Sequence, residues 1–139
     1  MLVVISWKSI RYQNDPKWNW RVVLYAYLPT NKDEILYIGK AYKQSIRERW
    51  GYAAKEGFWN DLESERGITK HIVLVGKIIL PEGMKLTDQL VTDIESLLIK
   101  RIQPWGNIQS SVSRISRPGL RVQCIGGWHG WKKEYRDIG

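Results

Sequence analysis

Cysteine occurs once in the 139 residues, as Cys124, and histidine twice, as His71 and His129. A lone thiol excludes an internal disulfide, and one Cys with two His falls short of a four-ligand zinc site. That composition fits a cytoplasmic setting. Long hydrophobic runs are also missing. The opening MLVVI gives way to Ser-Trp-Lys, and HIVLVGKIIL carries Lys77 and is too short to span a bilayer, so neither a secretion leader nor a membrane segment is expected. Acidic residues are scarce beside basic ones, 14 against 22, for a net charge of +8. The imbalance points to an anionic partner such as nucleic acid.

What is present is ordinary for a folded domain: 43% hydrophobic and 26% charged residues, in a length that suits a single domain, 1–139, around one core. The positive charge is concentrated late. From Lys100 onward the only acidic residues are Glu134 and Asp137, against a basic set that includes Arg114, Arg117, Arg121, Lys132 and Lys133. Eight tryptophans are a high count; such rings fill cores and also stack on bases.

Period-two alternation makes Val22 to Leu28 a strand, with Val23, Tyr25 and Tyr27 on one face. PTNKD is a turn, and Ile35 to Gly39 a second strand that completes an antiparallel hairpin. Ser45 and Glu48 form a capping-box pair, so a helix is expected from Ile46. His71 to Leu80 is β-branched and reads as a largely buried strand. Thr87 caps a longer helix that ends before Pro104. Residues 1–20 contribute one strand, Leu2 to Trp7, read as an added edge. Beyond Asn107, Leu120 to Ile125 is a short strand, Cys124 a small core residue, and the basic side chains with Trp128 and Trp131 are candidates to grip phosphates and stack bases. A solvated face on a stabilising extension explains them equally well.

One residue breaks the pattern. On the second helix Glu95 has Val91, Leu98, Ile99 and Ile102 as surface neighbours, whereas Asp93, Ser96 and Lys100 fall on the polar arc. A carboxylate among hydrocarbons calls for a cation, a metal or a proton. An arginine partner at a rim and a functional site are both open at this point.

Several pieces stand in order: VLY at Val23 to Tyr25, YIGKA at Tyr37 to Ala41, an arginine in the next helix, and E-x-x-L-I-K-x-x-x-P-x-x-N from Glu95 to Asn107. Together they resemble the GIY-YIG nuclease family, in particular the nuclease domain of bacterial excision-repair endonucleases. The resemblance covers 21–107 and leaves 1–20 and 108–139 as N-terminal and basic C-terminal extensions. It implies an α+β fold, a small three-stranded antiparallel sheet flanked by helices. The implied activity is metal-dependent hydrolysis of DNA phosphodiesters.

The resemblance further assigns Tyr25 as general base or water-positioning phenol, with Tyr37 across the same site. Tyr27 remains open as the first-motif tyrosine, because VLY stands where the family has GIY. Lys40, directly after YIG, is expected to favour phenol ionisation, since a free phenol titrates near ~10. The phosphate-steadying arginine is Arg49 by helical face or Arg47 by count. Glu95 takes the role of ligand to Mg²⁺ or Mn²⁺, and Asn107 that of the late polar residue contacting phosphate or a catalytic group. The DNA contacts would then fall to Arg47, Arg114, Arg117, Arg121, Lys132 and Lys133. A binding module that no longer cuts is the alternative implied by the missing first glycine.

Overall fold

The computed structural model describes residues 1–10, 14–30, 32–49, 52–107, 119–128 and 132–136, with the backbone alone at 49 and 52–56. Six strands form one sheet: β1 (Leu2–Ile10), β2 (Val23–Pro29), β3 (Tyr37–Ala41), β4 (His71–Ile79), β5 (Arg121–Gly126) and β6 (Glu134–Arg136). Their order is β3-β2-β4-β1-β5-β6. The helices are α1 (Ile46–Arg49), α2 (Tyr52–Arg66) and α3 (Asp88–Ile102). No helix among the described residues is long and apolar enough to cross a membrane.

The expected three-stranded antiparallel sheet is therefore corrected: the sheet has six strands, is mixed, and is curled into a half-barrel. The cause lies outside 21–107. β1 is not an added edge but an interior strand, antiparallel to β4 and parallel to β5, with Ile5 opposite both Ile78 and Cys124. Its alternation puts Val3, Ile5 and Trp7 into the core at 0–1% exposure. Both of its hydrogen-bonding edges are used, which ties 1–10 and 121–126 to the central strands.

Alternation along the strands divides the interior in two. Leu24, Ala26, Leu28, Ile38, Leu74 and Ile78 meet Leu90, Val91, Ile94, Leu97 and Leu98 of α3 in the larger core. Each leucine so buried contributes roughly 1.5–3 kcal/mol. The opposite face carries Val23, Tyr25, Tyr27, Val73 and Val75, covered by Ile46, Phe58 and Trp59.

Local signals terminate the helices as their residues dictate. Ser45 Oγ accepts from the Glu48 N–H at 3.2 Å, and the Ser45 N–H donates back to Glu48 Oε1 at 3.3 Å, a reciprocal capping box for α1. Thr87 Oγ1 accepts from the Leu90 N–H at the start of α3. At its end Gln103 turns left-handed, with φ 51°, and donates to the Ile99 carbonyl before Pro104.

Candidate active site

Tyr25, Tyr27 and Tyr37 leave the β2–β3 hairpin on one face and form a stacked array. Ring centroids are 6.2 Å apart for Tyr25 and Tyr37 and 5.3 Å for Tyr27 and Tyr37. Tyr27, fully buried, also meets Phe58 and Trp59. Tyr25 is only 1% exposed and lies against Gly39, its partner across the hairpin; Tyr37 is half-buried and is the most accessible of the three phenols. His71 stacks on Trp59 at 4.0 Å, and burial holds its pKa below the ordinary 6.5. It is a packing residue.

Lys40 goes the other way. It pairs with Leu24, whose side chain belongs to the α3 face, so it is not beside Tyr25 as expected. Its ammonium binds Asp88 Oδ1 at 3.1 Å and donates to Thr92 Oγ1. Asp88, Thr92 and Glu95 fall on one stripe of α3, which places Glu95 one turn beyond the residues that hold Lys40. Glu95 is half-buried. The buried carboxylate of the helix is instead Asp93, 1% exposed, which accepts from Gln89 Nε2 at 2.9 Å; Ser96 is 5% exposed. Both were expected on a polar arc, and the correction is that tertiary packing covers that side of α3.

Asn107 is 4% exposed and serves the backbone. Its Oδ1 accepts from the Ile38 N–H at 2.9 Å and its Nδ2 donates to the Ile38 carbonyl at 3.0 Å. The Gly106 N–H adds a bond to the Leu36 carbonyl. The 3-10 turn Trp105–Asn107 thus closes the open edge of β3, and the amide expected to contact phosphate holds that strand instead.

Arg47 is exposed on α1, and the backbone carries Arg49 at its last position. Arg114, Arg117 and Trp131 lie outside the described residues. Arg121 Nε stands 3.2 Å from Glu134 Oε1, while Lys132 and Lys133 are exposed between β5 and β6, at the far edge of the sheet from β3. Trp128 is not a base-stacking platform: it is 8% exposed, packs on Trp7 at 4.7 Å and donates through Nε1 to the Lys132 carbonyl. Burial pushes the Cys124 thiol up to about 12, so it is no nucleophile.

Chemically, β3 carries a half-buried phenol on one face and, on the other, an ammonium anchored to the α3 stripe that bears a half-buried glutamate. Among the described residues no cluster of three or more His, Cys, Asp or Glu forms. A single carboxylate leaves most of the coordination shell of a Mg²⁺ ion to water. Sequence reasoning missed Asp88 and Thr92, although their spacing of seven and three before Glu95 marks one helix stripe. Comparison with family models, curated proteins and solved structures finds no match to this chain.

Proposed function

We propose that this chain is a divalent-metal-dependent DNA endonuclease whose site lies on the α3 side of β3, with Lys40 and Glu95 as its central residues and Tyr37 on the opposite face of the same strand. The observation that carries the reading is the clamp between the two motif-bearing elements: Lys40 of YIGKA is bound to Asp88 and Thr92, on the α3 stripe that also bears Glu95. The ordered motifs resemble those of GIY-YIG nucleases, and the net charge of +8 suits a polyanionic substrate.

In this reading the Lys40–Glu95 side carries the chemistry, while Tyr37 and Tyr25, the latter pressed on Gly39, form the aromatic array that backs β3 from the other face. An arginine of α1 neutralises charge on the five-coordinate phosphorus, a task for which a guanidinium's paired donors suit phosphate oxygens. Glu95 would hold a hydrated Mg²⁺ or Mn²⁺, which when bound supplies Lewis-acid stabilisation of the departing oxygen. Asn107 acts on the site only through the position of Ile38.

Incubation of supercoiled plasmid with Mg²⁺ or Mn²⁺ tests the proposal, comparing wild type with Glu95→Gln. Nicking by the wild type and at least a hundredfold loss in the variant are expected; equal cutting by both sinks the assignment. A second reading, a DNA-binding module that does not cut, is favoured by Lys40 facing α3 rather than Tyr25. Salt-dependent DNA binding without cleavage in any metal would select it.

A further inference from the structure

A cleft of about 400 Å³ opens where β2 begins and β4 ends, lined among others by Trp20, Arg21, Val22, Val23, Lys77 and Leu86. Its wall includes the one described β-branched residue in the left-handed region, Val22 at φ 60°. Valine rarely adopts that conformation, and such strain concentrates at ligand sites. The two cations of the cleft differ in state. Arg21 is neutralised by Glu48 at 2.8 Å and donates to the Lys43 carbonyl. Lys77 is exposed and makes no ion pair or hydrogen bond among the described residues.

The surroundings define what could fill the cleft. Trp20 is half-buried and offers an aromatic surface; Val22, Val23 and Leu86 are apolar. A ligand with a flat ring beside an anionic group satisfies both the apolar lining and the uncompensated ammonium. Ser6 of β1 pairs with Lys77, which places the exposed Lys8, two residues on along the same face, diagonally across from it. A second cation therefore continues the positive track out of the cleft.

We infer that this cleft seats one nucleotide of a DNA strand, with the base against Trp20, its phosphate on Lys77 and the next phosphate at Lys8. The inference rests on the DNA-directed reading above and extends it to a binding subsite separate from Tyr37 and Glu95. Stacking on an aromatic side chain tolerates any base, so the subsite adds affinity without sequence preference.

Fluorescence anisotropy of a labelled single-stranded oligonucleotide, in EDTA across a salt series, tests it. Lys77→Glu is expected to weaken binding about tenfold and to flatten the salt slope by about one phosphate, with Lys77→Arg retaining both. Lys77→Met, which deletes the charge without reversing it, should fall between them, and Lys8→Glu should weaken binding independently. Unchanged affinity and slope in Lys77→Glu and Lys77→Met, while the wild type binds or cuts DNA, overturn the subsite and leave the nuclease reading standing. No salt-dependent binding by the wild type overturns both. Displacement of the oligonucleotide by millimolar AMP from wild type but not from Lys77→Met would assign the cleft to a free nucleotide and overturn the strand.

Discussion

The ring of Tyr25 occupies the space that any side chain at Gly39 would need: a Cβ built there falls within 3.0 Å of two ring carbons and the hydroxyl oxygen of Tyr25. The two residues are paired across β2 and β3. The glycine of YIGKA is thus required by packing whether or not the site cuts DNA. Gly39→Ala should cost about 1–3 kcal/mol as an overpacked core does. In a Tyr25→Ala background, where the ring is gone, the same change should cost little, and a double-mutant cycle in urea measures the difference. Equal penalties in both backgrounds would refute the contact.

Asn107 supplies both partners of Ile38's edge-facing backbone groups. Asn107→Ala leaves a donor and an acceptor unmet at a buried edge and should destabilise by about 2–4 kcal/mol. Asn107→Asp keeps the acceptor but turns a carboxylate toward the Ile38 carbonyl, so its deficit relative to wild type should shrink on acidification. Urea midpoints at neutral and acidic pH check both.

His71 carries a pH dependence through its stack on Trp59. Its folded pKa is held below 6.5 by burial, so the unfolded chain takes up the proton more readily. The contribution is fully present above about 6.5 and is lost as pH falls from there toward the folded pKa. His71→Phe, which keeps a ring against Trp59, should flatten the fall in thermal midpoint over that window. An unaltered profile would exclude His71 as its source.

The capping box of α1 predicts a separate acid response. Hydrogen bonds from the Ser45 backbone and side chain, with Arg21 nearby, hold the Glu48 carboxyl below its ordinary 4.5. Its stabilising contribution is present above that value and disappears as pH drops through the depressed pKa. Ser45→Ala should cost about 0.5–2 kcal/mol as the loss of an N-cap. NMR titration of Glu48 should show its pKa return toward 4.5 in that variant.

Local chemistry made much of the fold legible. The Ser45–Glu48 and Thr87 caps, the Pro104 stop and the alternation of Val23 to Leu28 each act within a few residues, and the corresponding elements stand where those signals put them. The face of Lys40 was legible too, since it stands three positions after Tyr37 and in a strand an odd offset sends the two to opposite sides. The place of β1 was not, because nothing near Val4 states that Ile79 and Gln123 will flank it. Burial of Asp93 and Trp128 likewise depends on what folds over them, which periodicity along one helix or loop does not contain. Of the candidate site, residue types and order were readable, while the engagement of Asn107 with Ile38 required coordinates.

The position of β1 also governs how the molecule comes to be. Its two neighbours in the sheet are drawn from residues 71–79 and 121–126, so this strand must wait for more than a hundred later residues before both its sides are met. Assembly dominated by such distant pairings is slow. Until β5 arrives, the strand Leu2–Ile10 presents an unsatisfied apolar ribbon, and nascent chains stalled short of 121–126 are the species expected to aggregate or to recruit chaperones.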